Sequence, residues 1–232
     1  MLDVVFEDNH LLVVAKPAGI PTQGAVSGRE SLLGLARQHI KEKYGKPGNV
    51  YLGVVSRLDA PVSGVVVFAR TSKAAGRLSE QFRARTVGKI YWAVVEGSPS
   101  PSGECIDWIV HDDPHHRMRI ARPGAAEAQE ARLAYRCVQT FGGLSLLEVE
   151  LQTGRKHQIR VQLAHRGWPI VGDVRYGSHR ALPTGIALHA RRLTLAHPTK
   201  GNVLTFVAPI PRRWSRLGVR EPRPETDGPD GD

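Results

Sequence analysis

The sequence predicts an α+β fold with a mixed, mainly antiparallel central sheet and flanking helices. Two observations predict it: apolar runs with strand-like patterning outnumber helical ones, and strands do not alternate regularly with helices as they do in parallel βαβ sheets. The chain has 232 residues, of which 41% are hydrophobic, and this is enough to bury the core of one continuous domain. We expect that domain to cover residues 1–218.

The amino-terminal part is predicted as two strands followed by a helix. Residues 4–6 and 11–15 are short apolar runs, separated by turn-prone residues. Apolar residues then recur at helical spacing over residues 32–40, behind Ser31, a residue type that commonly caps helices. Gly45 follows the last residues of this pattern, so we expect the helix to end there.

The rest of the chain is predicted to be rich in strands. Residues 50–69 contain two β-branched runs interrupted by a loop, and Ala74, Leu78 and Phe82 lie on one face of a predicted helix. A short helix is predicted within residues 156–167, where Ile159 and Leu163 stand four apart. Further strands are predicted at residues 89–97, 105–110, 131–138, 144–151, 186–195 and 202–207.

The charge of the chain favours a polyanionic partner. It carries 32 Lys and Arg against 22 Asp and Glu, a net charge of +10 with a pI near 10.1. The end of the chain differs, because residues 221–232 hold five acids and one arginine. We expect residues 219–232 to form a disordered acidic tail, since they are rich in Pro, Gly and Asp and cannot bury apolar surface.

Composition also predicts the compartment. No apolar stretch approaches the roughly 20 residues of a membrane span, and the first residues do not form an export signal, so we expect a cytoplasmic protein with no membrane partner. Cys105 and Cys137 lie in separate apolar segments without metal-like spacing. We expect both thiols to be reduced and buried.

Two segments carry residues suited to chemistry. SRLDAPVSG, at residues 56–64, places Asp59 in a loop between two apolar strands, where reactive side chains are often displayed. Taken alone, such an aspartate is more often a turn residue that hydrogen-bonds its own backbone. The second segment is TGRKHQIR, at residues 153–160, which crowds cations at a predicted helix start and so favours binding of phosphate or carboxylate.

Together these segments resemble the RluA-type pseudouridine synthases, which isomerise uridine in RNA. The family pattern HRLDxxTSG is similar to SRLDAPVSG, and a lysine-then-tyrosine strand motif is similar to VGKIYWAVVEG, which contains Tyr91. The third pattern, TGRxHQIRVHLAxxGxPIxGDxxYG, is matched by residues 153–177, and the opening segment with KPAG is also similar. Four positions depart from the family pattern: Ser56, Val62, Lys156 and Gln162.

The resemblance implies a pseudouridine synthase fold with the active site in a central cleft of the sheet, without an S4-type accessory domain. It implies that Asp59 is the catalytic nucleophile, that Arg160 pairs with it, and that Tyr91 stacks on the uracil. We expect a bidentate guanidinium of Arg160 to keep Asp59 ionised and oriented. The target base has to leave the RNA stack, and Arg57 is expected to enter the vacated space.

RNA is the expected partner, bound by a monomer that needs no cofactor and no metal. The residues expected to contact RNA, besides Arg57, are basic side chains near the three motifs: Arg83, Arg85, Lys89, Arg155, Lys156 and His157, with Arg191 and Arg192 as further candidates for the RNA backbone. The sequence does not indicate whether the target is ribosomal or transfer RNA.

The sequence supports three alternative functions less well. His111, His115 and His116 with their aspartate neighbours match no common metal-ligand spacing, and Pro114 indicates an exposed hairpin loop. A hydrolase is disfavoured because no GxSxG motif accompanies the histidines. The strongest alternative is a non-catalytic RNA-binding protein or RNA chaperone of the same fold, since positive charge would serve it equally well.

Overall fold

The computed structural model describes residues 2–24, 30–115 and 117–220, and their elements agree with the predicted α+β class. Of the predicted acidic tail, residues 219–232, the part from residue 221 onward lies outside the described residues. The strands are β1 Val4–Glu7, β2 Leu11–Lys16, β3 Gly53–Val54, β4 Ser63–Ala69, β5 Gly88–Glu96, β6 Ser102–Asp112, β7 Arg117–Ala121, β8 Gln129–Phe141, β9 Leu144–Leu151, β10 Leu188–Ala196 and β11 Val203–Val207. The helices are α1 Leu32–Tyr44, α2 Ser72–Arg83 and α3 Gln158–His165, with 3₁₀ turns at Asp113–His115, Val174–Tyr176 and Arg212–Leu217.

The helices begin and end for local reasons, and the start of α1 behind Ser31 and its end at Gly45 are as predicted. The Ser31 hydroxyl accepts a hydrogen bond from the Gly34 N–H at the start of α1, and the Thr71 hydroxyl does the same for Ala74 at the start of α2. Gly45 closes α1 in a left-handed conformation with φ of 57°. Within the described chain, none of the helices is long and apolar enough to cross a lipid bilayer.

The described strands form one mixed sheet in the order β1-β2-β4-β10-β5-β9-β8-β6-β7, with β3 on β4 and β11 on β10. All of these neighbours are antiparallel except β4 and β10, which run parallel over two residue pairs. The mainly antiparallel sheet is therefore confirmed. β7 is absent from the predicted set of strands, because its five residues include two arginines and directly follow the turn at Pro114, so the apolar pattern is short and weak.

The two halves of the sheet meet at β10. Ala190 of β10 pairs with Gly64 on one side and with Tyr91 on the other. Gly64 has φ of +124°, and a Cβ there would lie 2.3 Å from the Ala190 carbonyl oxygen, so only glycine fits. The final glycine of SRLDAPVSG thus permits the close strand contact that brings the Asp59 loop next to β5.

The core lies on both faces of this sheet. β4 is buried at all seven positions, as expected for a strand covered on both sides. Cys105 is fully buried and Cys137 only partly so, and both are free thiols. The prediction of a buried thiol is therefore correct for Cys105 and only partly correct for Cys137, which lies at a bulge in β8.

Candidate active site

A cleft of about 780 Å³ opens where the loop before β4, strand β5 and the start of α3 meet. We call it the central cleft. Asp59, Tyr91 and Arg160 all line it, although they are far apart in the chain. The residues predicted to contact RNA line it as well: Arg57, Arg83, Arg85, Lys89, Arg155, Lys156 and His157.

The loop that presents Asp59 is held from below by the amino-terminal segment. The Thr22 hydroxyl donates to the Leu58 carbonyl at 2.8 Å and accepts from the Leu58 N–H at 3.0 Å. The Gly19 N–H donates to the Ala60 carbonyl at 2.7 Å. The backbone is therefore fixed on both sides of Asp59, while its side chain remains 32% exposed toward the cleft.

Lys16 supports the same loop from inside the core. Its ammonium group donates to the carbonyls of Pro17, Ile20 and Ala60, at 2.8 to 3.2 Å. Burial lowers the pKa of Lys16 to about 8, although the negative charge of Asp59 acts in the opposite direction. A positive charge thus lies beneath the loop and interacts electrostatically with the Asp59 carboxylate.

Arg160 joins Asp59 to a second carboxylate. Its Nη1 donates to Asp59 Oδ2 at 3.1 Å, and its Nε and Nη2 donate to Asp173 at 2.6 and 2.9 Å. Burial opposes the charge of this guanidinium, but Asp173 and Asp59 outweigh burial and raise its pKa. The prediction of a bidentate contact between Arg160 and Asp59 is therefore wrong. Arg160 makes its bidentate contact with Asp173, which lies buried beside α3, and donates only one hydrogen bond to Asp59.

Tyr91 lies on β5 beside the Asp59 loop and is partly buried. Burial raises the pKa of its hydroxyl, and the nearby charge of Asp59 raises it further. The phenol therefore stays protonated at neutral pH, so it can donate a hydrogen bond and offer its ring face to a planar ligand.

His157 faces Asp59 and is largely shielded from solvent. Its side chain is 8% exposed, and its Nε2 lies 3.5 Å from Asp59 Oδ2. Its Nδ1 lies 2.8 Å from the hydroxyl of Tyr176. Burial is the main reason why the pKa of His157 falls to about 4, so the ring is neutral at pH 7. Among the predicted RNA contacts, His157 is thus the one turned inward.

The other predicted RNA contacts form the rim of the central cleft. Arg57, Arg85 and Lys156 are exposed, whereas Lys89 is partly buried. Burial, with the neighbouring charge of Arg85, lowers the pKa of Lys89. Arg83 pairs with Glu80, and the Arg155 Nε donates to the Glu130 carbonyl at 3.1 Å. The rim is a positively charged border suited to phosphate groups.

The other residues that the sequence analysis considers for RNA or metal binding do not line the central cleft. Arg191 and Arg192 are on β10 and do not line it. His111 pairs with Asp113 and His115 with Asp112 at the β6–β7 hairpin, while His116 lies outside the described residues. Over residues 2–24, 30–115 and 117–220, no three ligand-type side chains cluster as a metal site would require.

The four departures from the family pattern fall into two groups. Ser56, Val62 and Lys156 line the central cleft. Gln162 instead is fully buried, with its Nε2 within 2.8 to 3.1 Å of the Cys105 carbonyl, Asp107 Oδ2 and the Ala131 carbonyl. It ties α3 to β6 and β8, so the change at this position concerns packing rather than the cleft.

Sequence reasoning missed the residues that hold the catalytic candidates in place. These are Lys16, Thr22, Asp173 and Tyr176. Two of them stand in the GDVRYG end of the third motif and one in the KPAG segment, so the motifs contained a signal. The motifs indicate that these residues belong to the site, but they do not indicate which residues they contact, because those partners are distant in the chain.

Comparisons with known proteins bear on the family and on the fold. The model of a family described as RNA pseudouridylate synthase matches residues 10–165. An uncharacterized RNA pseudouridine synthase of Synechocystis sp. is 35% identical over 94% of this chain and 68% of its own length. Ribosomal large subunit pseudouridine synthase D of Xanthomonas campestris is 36% identical over 93% of this chain and 68% of its own. The solved structure of human RNA Pseudouridylate Synthase Domain Containing 4 superimposes with a TM-score of 0.79, at 27% identity over 95% of both chains.

Proposed function

The chain belongs to the RNA pseudouridylate synthase family, whose members are isomerases, and we propose that its central cleft converts uridine to pseudouridine in structured RNA with Asp59 as nucleophile. The observation that carries the proposal is the position of Asp59: at the floor of a basic cleft, with one carboxylate oxygen bound by Arg160 and Tyr91 alongside. A carboxylate held in this way is preorganised to react.

The reaction needs only groups that this cleft offers. The bond between uracil N1 and the sugar breaks, the uracil turns, and C5 bonds to the same sugar carbon while losing its proton. No electron is gained or lost, so the chemistry requires a positioned nucleophile and control of one proton. Asp59 supplies the first. We assign Tyr91 to hold the uracil face and to relay the C5 proton: its hydroxyl oxygen takes that proton while its own O–H proton passes to water, so the phenol is neutral before and after the step.

Base flipping fits the shape of the site. Asp59 lines a concave cleft, and a base stacked within RNA is not free to enter one, so we expect the target nucleotide to turn out of its stack at a cost of a few kcal/mol. Arg57 is exposed at the rim two residues before Asp59. Its planar guanidinium is placed to stack in the space that the uridine leaves.

The proposed target is ribosomal or transfer RNA, and one assay tests both the reaction and the target. RNA transcribed with uridine tritiated at C5 should release tritium to water on incubation with the protein, because C5 loses its hydrogen when it bonds to the sugar. Mapping pseudouridine in total RNA then identifies the site. A non-catalytic RNA-binding protein or chaperone would release no tritium from any of these RNAs, and that outcome would reject the proposed reaction.

The basic rim should govern RNA binding in a salt-dependent way. We expect Lys156→Ala and Arg85→Ala each to weaken binding, and each to reduce the slope of log K against log salt by about 0.7 to 1, the effect of one lost phosphate contact. Filter-binding titrations between low and physiological salt measure this slope.

The matched control for the rim is Arg192→Ala, which removes an exposed arginine of β10 outside the central cleft. Its slope should equal that of the unmodified protein. If all three variants change the slope equally, RNA is bound by overall charge and the rim has no special part in binding.

A further inference from the structure

His157 occupies an unusual place for a residue of a basic motif. It stands directly before α3 with φ of 53° and ψ of 19°, a left-handed conformation that non-glycine residues adopt infrequently. It does not cap the helix with its side chain. The imidazole ring instead lies in the central cleft, with Nε2 3.5 Å from Asp59 Oδ2.

The ring is fixed by a chain of contacts that begins on β7. The Met118 N–H donates to the Tyr176 hydroxyl oxygen at 2.9 Å, and this hydroxyl meets His157 Nδ1 at 2.8 Å. The rings of Tyr176 and His157 also pack edge to face at 5.7 Å, and the Arg160 guanidinium covers the Tyr176 ring at 4.9 Å. Tyr176 is thus held on three sides and can hold His157 in turn.

The contacts determine where the single proton of the neutral ring resides. The charged groups that act on it are Asp59, Arg160, Lys156 and Arg175, and the three cations together with burial keep it uncharged. If Nδ1 held the proton, the lone pair of Nε2 would face the carboxylate of Asp59, which is repulsive. With the proton on Nε2, Tyr176 can donate to Nδ1, and the Nε2–H group rather than a lone pair lies on the side of Asp59 Oδ2, 3.5 Å away, which is electrostatically favourable.

Both contacts with the Asp59 carboxylate fall on the same oxygen. Arg160 Nη1 lies 3.1 Å from Oδ2 and His157 Nε2 lies 3.5 Å from it. Among the described residues, no hydrogen bond or ion pair is made to Oδ1. The carboxylate is therefore held through Oδ2, and Oδ1 is the oxygen left to meet the substrate.

We propose that His157 is a positioning residue whose neutral ring, held by Tyr176, points its Nε2–H at Asp59 Oδ2 and so directs Oδ1 toward the uridine. The proposal rests on the proposed function for its kinetic part, because Asp59 has to be the reacting group. It replaces the phosphate contact predicted for His157 from the sequence. At 3.5 Å the contact is longer than an ordinary hydrogen bond, so its effect is to orient the carboxylate rather than to bind it tightly.

One test needs neither RNA nor activity. In substrate-free protein labelled with ¹⁵N, long-range ¹H–¹⁵N spectra report which ring nitrogen of each histidine carries a proton. We expect His157 at pH 7 to be neutral and protonated on Nε2. A ring protonated on Nδ1, or on both nitrogens, would overturn the proposal even if the enzyme were fully active.

The kinetic test separates positioning from RNA contact. His157→Phe keeps a ring but removes both nitrogens, and we expect kcat to fall roughly 10- to 100-fold, the scale of a misplaced reacting group, with KM and the salt slope unchanged. His157→Gln keeps an N–H near the place of Nε2 and should recover most of this loss. Tyr176→Phe, which removes the hydroxyl that orients the ring, should lower kcat less than His157→Phe does.

The control is His165→Phe, the same substitution at an exposed position of α3 that should leave kcat unchanged. If His157→Phe instead raises KM and lowers the salt slope while kcat is kept, His157 is an RNA contact and the proposal is wrong. It is equally wrong if His157→Gln is as slow as His157→Phe. Absence of tritium release by the unmodified protein would reject the proposed function, and the tautomer measurement would still decide the assignment for His157.

Discussion

An Asp59→Asn variant should fold, bind RNA and form no detectable pseudouridine. The amide has nearly the shape of the carboxylate and can still accept a hydrogen bond from Arg160, but it is uncharged and a poor nucleophile. Arg160 keeps its two contacts with Asp173, so the floor of the cleft remains intact. We expect the single-turnover rate of tritium release to drop by at least about 10³-fold, the scale seen when a central catalytic group is removed.

The control for this variant is Asp113→Asn, which changes an exposed acid at the β6–β7 hairpin. It should release tritium at the normal rate. If Asp59→Asn keeps a tenth or more of the normal rate in a cleanly purified preparation, Asp59 is not the nucleophile, and the resemblance would describe the fold without describing the chemistry.

Replacing Asp173 with Asn should destabilise the protein and lower its rate of pseudouridine formation, because Arg160 contacts both Asp173 and Asp59. Asp173 is 2% exposed and provides two of the three contacts of a guanidinium that is itself 5% exposed. Removing one charge of a buried pair leaves the other without compensation, which costs about 3–5 kcal/mol. Asp59 remains as a partner for Arg160, so we expect the lower end of this range, measured by urea unfolding with an unchanged m-value.

The comparison for Asp173→Asn is Glu80→Gln, which removes an exposed partner of Arg83 on α2. Surface pairs of this kind contribute about 0–1 kcal/mol, so unfolding should hardly change. Equal losses in the two variants would mean that the Arg160–Asp173 pair contributes no more than a surface contact. In that case the packing of α3, and not the contact with Asp173, would position Arg160.

The sequence predicted well what depends on near neighbours. Ser31 and Thr71 cap their helices because a hydroxyl needs only to reach a backbone N–H three residues away. Most strands are also predicted correctly, because they depend on the pattern of apolar residues within a short segment. The place of β10 between β4 and β5 could not be predicted, because that register depends on Gly64 and Ala190, which are far apart in the chain.

A similar division holds for the site. Asp59, Tyr91 and Arg160 were identified through the motifs, and the structure brings them to one cleft. The residues that support them were not identified, because the sequence does not show that Arg160 contacts Asp173 as well as Asp59. Only the packing of the chain brings that second carboxylate to the guanidinium. His157 shows the converse: its neighbours in sequence are cations, but its neighbours in space are Tyr176 and Asp59.

The late position of β10 in the chain has a consequence for the making of the protein. Asp59 belongs to the part of the sheet that includes β4, and Tyr91 to the part that begins with β5, and β10 is the strand between them. While the nascent chain is still on the ribosome and has not yet extended past Ala196, these two parts lack the strand that joins them. We therefore expect the active site to be assembled only after β10 has been synthesised.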